Sequence, residues 1–240
     1  MNTKKFLSNT KSFFEIILSI SGYVPKHATI PRTIIMLSSL FFSLYLTIYH
    51  PKNFKIALIY FVISLIAYIG FITLVLRKNG YRLWFIKKWG EEKGYLIYEG
   101  MLGFLFFNTA ASISYFCLAT SGELFFYIDK NILSVIVFLL FSVGFVIKIW
   151  STIVTSVDTY YWKDMFLRRK ISEYKNNGPY KYINNPMYSV GQFQTYAVAI
   201  YYESIYGLIA AFTYQLSIYL FYYFAEKKFV NTIYKNKQKK

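Results

Sequence analysis

Disulfide chemistry is closed to this chain, because its one cysteine, Cys117, has no partner and lies in a hydrophobic run. Histidine is nearly as scarce. His27 and His50 stand far apart without a neighbouring cysteine or paired acids, so no metal site is expected. Charged residues make up only 16% of the chain. A soluble domain carries about 25%, so there is too little polar surface to cover a globule's exterior. The beginning of the sequence lacks a signal-peptide pattern, since Glu15 interrupts its apolar stretch and no small-residue cleavage site follows. Internal repeats and low-complexity tracts are absent.

What the chain has instead is apolar surface. Its 240 residues are 56% hydrophobic and 22% aromatic, with a mean hydropathy of +0.35. The length suits one domain. A helix needs about 20 residues to cross a bilayer. Thr33–Tyr49 and Ile56–Leu76 are uncharged candidates, Met101–Ala119 is a third, and Ile132–Ile153 is a fourth whose one charge is Lys148. Lys148 is expected to snorkel toward the nearer membrane face. Ser189–Phe224 is too long for one crossing and contains a single charge, Glu203. It reads as two helices turning near Tyr202-Glu203-Ser204, the first of them short and tilted, kinked or shallow.

The cations support this count. A net charge of +16 suggests nucleic acid in a soluble protein, but here the charges are segregated. Five precede the first span, six follow the second, six lie in residues 154–188 and six follow Phe224. The intervening segments hold two, one and none. By the positive-inside rule both termini and the two long loops face the cytoplasm. The expected fold is an all-α integral membrane protein of about six hydrophobic helices, the last two a helical hairpin. Basic loops then meet anionic headgroups rather than nucleic acid. Phe13, Phe14, Ile17, Leu18 and Ile20 suit a short helix lying on the interface.

Polar chemistry gathers in residues 154–188. This segment carries Asp158 and Asp164, then Arg168-Arg169-Lys170, then GPYKYINNPMY running into the hairpin. Gly178-Pro179 signals a turn, Pro186 suits a first helical turn, and Asn185 before it is a natural N-cap.

GPYKYINNPMYSVG resembles the signature of membrane-embedded methyltransferases, which include phospholipid N-methyltransferases and isoprenylcysteine carboxyl methyltransferases. Asn185-Pro186-Met187-Tyr188 is similar to the phospholipid branch, where the carboxyl methyltransferases typically have Arg-His-Pro. Upstream, Ser142-Val143-Gly144 matches the position of that family's Gly-x-Gly, and Tyr161-Trp162-Lys163-Asp164-Met165-Phe166 resembles its Gly-Asp-Tyr-Phe stretch. Downstream, Ala225-Glu226-Lys227 stands where the family has an acidic pair, and Ile233-Tyr234 resembles its aromatic tail. Ser142 and Lys227 depart from the pattern. The likeness covers roughly 142–234. Hydropathy and charge divide the rest into a cytoplasmic or interfacial segment at 1–32 and three spans with a basic loop over 33–131, and the likeness makes 132–240 a methyltransferase-like membrane core with a cytoplasmic tail.

The resemblance implies S-adenosyl-L-methionine as methyl donor and the amine of phosphatidylethanolamine, or its mono- and dimethyl derivatives, as acceptor. Ser142, Gly144, Asn185, Tyr188 and Glu226 are then expected at the donor, with Asp164, Tyr188 and Glu226 at the chemistry. Arg168 and Arg169 are expected at the lipid phosphate. The membrane is that of the endoplasmic reticulum in a eukaryote and the inner membrane in a bacterium. Prenylcysteine carboxyl methylation, sterol reduction and an inactive membrane scaffold are the rival readings. The charge pattern itself predicts that impermeant thiol labels, applied to single cysteines in a Cys117→Ala background, reach residue 52 from the non-cytoplasmic side of the membrane. Positions 2 and 238 should stay unlabelled until the membrane is opened, and labelling of either from that side contradicts the topology.

Overall fold

The computed structural model describes residues 3–123, 129–171 and 175–235. Helix α1 (Thr3–Ile20) precedes α2 (Ile30–Tyr49), α3 (Phe54–Leu76) and the short α4 (Arg82–Trp89). Then come α5 (Glu91–Ala119), α6 (Lys130–Thr155), and two small helices, α7 (Val157–Tyr160) and α8 (Lys163–Leu167). The chain closes with α9 (Phe193–Tyr201), α10 (Ile205–Phe221), a wide π turn at Tyr222–Glu226 and α11 (Lys227–Val230). Among the described residues, five helical segments are long and apolar enough to cross a membrane: α2, α3, α5, α6, and the helix that starts with α10 and runs to Tyr234. Large side chains such as Phe41, Ile63, Phe138 and Phe212 stand exposed on them. On an all-α membrane protein that band is the face offered to lipid, where only helices can satisfy their own backbone.

Contacts between turns sort the chain into two ends. At one, the Tyr115 hydroxyl donates to the His50 carbonyl at 2.7 Å, and Lys52 Nζ donates to the Ser121 carbonyl at 3.2 Å. The α9–α10 turn joins them, through N–H groups of Gly122 and Glu123 donating to the carbonyls of Tyr202 and Glu203 at 3.0 and 2.9 Å. At the other end, the Tyr161 hydroxyl reaches the Ser19 carbonyl at 2.7 Å, Arg82 reaches the Phe166 carbonyl at 3.3 Å, and Arg169 pairs with Glu91 at 2.7 Å. The end of α1, helix α4 and the 156–171 segment therefore share one end.

Two expected elements differ. The third span begins at Glu91, ten residues before Met101, because its charges are accommodated rather than excluded. Glu91 and Glu92 occupy the first turn, where the helix dipole favours them. Glu99 is buried and accepts from His27 Nδ1 at 2.7 Å and Arg32 at 3.4 Å. The fifth hydrophobic segment, first of the expected pair, does return the chain to the far end, but only nine of its residues form α9. At 1.5 Å per residue these span about 13 Å, under half the hydrocarbon core. No helix starts at Pro186, and Asn185 is not its cap. The Asn185 carbonyl accepts from the N–H groups of Tyr188 and Ser189 at 2.9 and 3.0 Å, closing a turn, and α9 waits until Phe193. Asn185 itself is left-handed, at φ 51°.

A polar knot ties the first spans together. Asn108 Oδ1 on α5 accepts from Ser39 of α2 and from Tyr60 of α3, both at 2.9 Å. Tyr60 also shares a 3.1 Å hydrogen bond with Ser43. In lipid, such interhelical bonds hold helices that hydrophobicity alone cannot bring together. Replacing Asn108 with Ala should lower unfolding stability in detergent by about 1–2 kcal/mol, at roughly 0.6 kcal/mol or more per lost bond. A variant as stable as the wild type would mean that the knot contributes nothing.

Candidate functional site

Glu226 ends the π turn that follows α10. A π turn adds a residue and re-aims the side chains after it. The Glu226 carboxylate accepts at Oε2 from the Trp162 indole N–H at 3.0 Å and from the Tyr188 hydroxyl at 2.8 Å. Three distant segments thus meet on one oxygen, and Oε1 is left for another partner. Trp162 is held with a left-handed backbone, φ 54°, and its ring lies edge-on to Phe221 at 5.3 Å. A left-handed residue costs about 1–2 kcal/mol, and such strain persists where the surroundings enforce it. Ser156 and Arg168 on either side also have positive φ.

Tyr188 is fixed from behind. Gln215 Nε2 of α10 donates to the Tyr188 carbonyl at 2.8 Å and to that of Ser189 at 3.3 Å. Upstream, Gly178 takes φ 59°, and a Cβ there would come within 2.7 Å of Val154 and 3.2 Å of the Trp150 indole. Only glycine lets the chain pass this close to α6. Pro179 follows, buried, and the turn delivers Tyr180.

These residues line a cavity of about 720 Å³, counting its mouth. Its polar wall includes Glu226, Tyr188, Trp162, Tyr180, Asn185 and Lys148, against apolar groups such as Leu102, Phe106 and Ile218. Burial pushes the Tyr180 phenol up to about 12, with Glu226 adding to the rise and Thr155 and Ser151 opposing it. It is therefore a neutral hydroxyl across the physiological range.

Of the residues expected at the site, the structure gathers Asn185, Tyr188 and Glu226 on the cavity wall. The others lie elsewhere. Gly144 is buried against α9, where an added Cβ would come within 2.7 Å of the Gln194 backbone nitrogen, so it serves the α6–α9 approach. Ser142 is half-buried on the same helix and is not part of the wall. Asp164 accepts from the Ile171 N–H at 3.3 Å and from the Tyr234 hydroxyl, which binds the loop after α8 to the C-terminal helix. Arg168 donates to the Leu76 carbonyl at the end of α3 and stacks over Phe229 at 5.4 Å. Burial, with Arg82 nearby, lowers its pKa. Arg169 holds Glu91 at the surface. None of these five residues lines the cavity.

Lys148 is the residue that the sequence misassigned. It does not snorkel. It is 4% exposed, lines the cavity, and holds its ammonium 5.1 Å from the Phe106 ring. The signal was present as the one charge inside an otherwise apolar span. Trp162 carried no such sign, because an indole donor looks like one more aromatic.

A larger cavity, about 1,510 Å³, lies between α2 and α5 beside His27, Arg32 and Glu99, with mostly apolar walls. The comparison with known families separates the two. Residues 133–237 match the phospholipid methyltransferase family. That stretch supplies all of the first cavity's polar wall just named, and none of the second. No curated protein and no solved structure matches the chain.

The node itself is testable without any ligand. Hydrogen bonds to a charged group contribute about 1.5–3 kcal/mol. A double-mutant cycle of Tyr188→Phe and Glu226→Gln, read by thermal unfolding in detergent, should give a coupling of at least about 1 kcal/mol. Effects that add within about 0.5 kcal/mol would show that the two residues do not act together.

Proposed function

We propose that the chain transfers methyl groups from S-adenosyl-L-methionine to the amine of phosphatidylethanolamine, or of its partly methylated products, at the membrane surface. The observation carrying this is the meeting of Glu226, Tyr188 and Trp162, all within the stretch that matches the phospholipid methyltransferase family, on the wall of one cavity.

The residues suit the donor. Its amino-acid end is a zwitterion, and its ribose offers two hydroxyls. Glu226 Oε1 can accept from the ammonium or the ribose, while Oε2 is held still by its two donors. Tyr180 and Asn185 offer further polar groups from the same wall, and apolar groups such as Leu102 and Ile218 would face the rest of the molecule. When bound, the donor supplies an electrophilic methyl group whose C–S bond breaks as the amine's lone pair forms the C–N bond.

The amine must first lose a proton. With an ordinary pKa near 10, little of it is neutral at pH 7. A cavity that strips water from the headgroup favours the neutral form. Holding both reactants at one interface removes most of the entropic barrier to their encounter. Glu226 is the one carboxylate on the cavity wall among the described residues, so the site's negative charge rests there. Asp164, turned to the C-terminal helix, takes no part in this scheme.

Purified protein with tritium-labelled donor and phosphatidylethanolamine liposomes should yield labelled lipid. Glu226→Gln should reduce kcat/KM at least about tenfold, equivalent to roughly 1.4 kcal/mol of transition-state stabilisation. Label in farnesylcysteine rather than lipid would reassign the acceptor, and label in neither would overturn the proposal.

A further inference from the structure

Among the described residues, three half-buried cations have anionic or carbonyl partners. Arg32 pairs with Glu99, Lys163 with Asp158 at 2.8 Å, and Arg168 with the end of α3. Lys148 differs. Among the described residues no carboxylate lies within 4.0 Å of its ammonium, and its near neighbour is the face of Phe106. It sits seven residues inside the end of α6, about 10 Å along the helix axis. A cation so placed in a membrane span is costly and marks function. Ring contact replaces only part of the lost hydration.

The same cavity carries one carboxylate, Glu226, and one ammonium, Lys148. That pair of fixed charges is complementary to a zwitterion. We infer that Lys148 is the site's oxyanion anchor: it takes the negative group of a bound zwitterion whose positive group faces Glu226. This rests on the methyl-transfer reading and deepens it. Two reactants have that chemistry, for the donor ends in an α-ammonium and α-carboxylate, and the lipid headgroup joins an ammonium to a phosphodiester. In either case the oxyanion covers the lysine. An uncovered ammonium would repel the donor's sulfonium, so a site with Lys148 in its wall works only when that charge is matched. The lysine is thus a binding residue acting before the chemical step, distinct from the network on Glu226.

Binding separates the two sources. Titration calorimetry with S-adenosylhomocysteine, which keeps the amino-acid end and lacks the reactive methyl, should be run on wild type, Lys148→Met and Lys148→Arg. The KM for phosphatidylethanolamine in mixed micelles should be measured alongside, at saturating donor. If the carboxylate is the partner, Lys148→Met weakens S-adenosylhomocysteine roughly ten- to hundredfold, as loss of a charge-assisted bond does. The decarboxylated analogue should then bind both proteins alike. If the phosphodiester is the partner, S-adenosylhomocysteine binding is unchanged and the lipid KM rises by a similar factor. Lys148→Arg should retain much of the affinity in either arm. Lys148→Gln provides the same comparison should the Met variant fail to elute as a single species. Affinities and KM that all stay within twofold of wild type overturn the assignment while leaving methyl transfer standing. Wild type that neither binds S-adenosylhomocysteine nor labels lipid removes both.

Discussion

One carboxylate oxygen organises this end of the molecule. Glu226 Oε2 receives the Trp162 indole and the Tyr188 phenol, and so joins the end of the last long helix, the strained segment after α6 and the loop before α9. The loop needs that tie. Residues 182–189 are not helical, and irregular backbone beside a membrane must find partners inside the protein. Gln215 supplies two of them from α10 and Glu226 holds the side chain. The helix is therefore a post to which the loop is tied, and the cavity is the space left between them.

Strain and irregularity collect around this node. Positive φ values at Ser156, Trp162, Arg168 and Asn185, together with the π turn at Tyr222–Glu226, are departures from standard geometry close to the cavity or its supports. Each is stabilised by something nearby: Trp162 by Glu226 and Phe221, Arg168 by the end of α3, Asn185 by the turn it closes. Elsewhere the spans are regular helices joined by knots such as Asn108. The division is physical. Regular helix is cheapest in lipid, and of the non-glycine positive-φ residues only Glu203, in the α9–α10 turn, lies away from the cavity and its supports.

Much of the fold was legible in the sequence, because apolar runs and alternating basic segments report membrane passage directly. The boundaries of α2, α3 and α6 fall within three residues of those read from hydropathy. The start of α5 was hidden, since Glu99 looks like a span terminator until His27 and Arg32, some 70 positions away, are seen to hold it. The short α9 was half legible: segment length implied a compromised helix, but not that residues before Phe193 would be spent on turns. Of the residues that the motifs single out, Tyr188 and Glu226 meet on the cavity wall. Asp164, Arg168 and Arg169 lie off that wall, because proximity in sequence to a motif does not say which way a side chain turns. Lys148 shows the converse. Its position as a lone charge was plain, and only packing revealed that it points inward rather than toward headgroups.

The most direct test of this account is an experimental structure with S-adenosylhomocysteine bound. The ligand should lie in the cavity between Lys148 and Glu226, within hydrogen-bond distance of the Glu226 oxygen that Trp162 and Tyr188 leave open. Density in the larger chamber beside Glu99, or a ligand with no contact to Glu226, would contradict it.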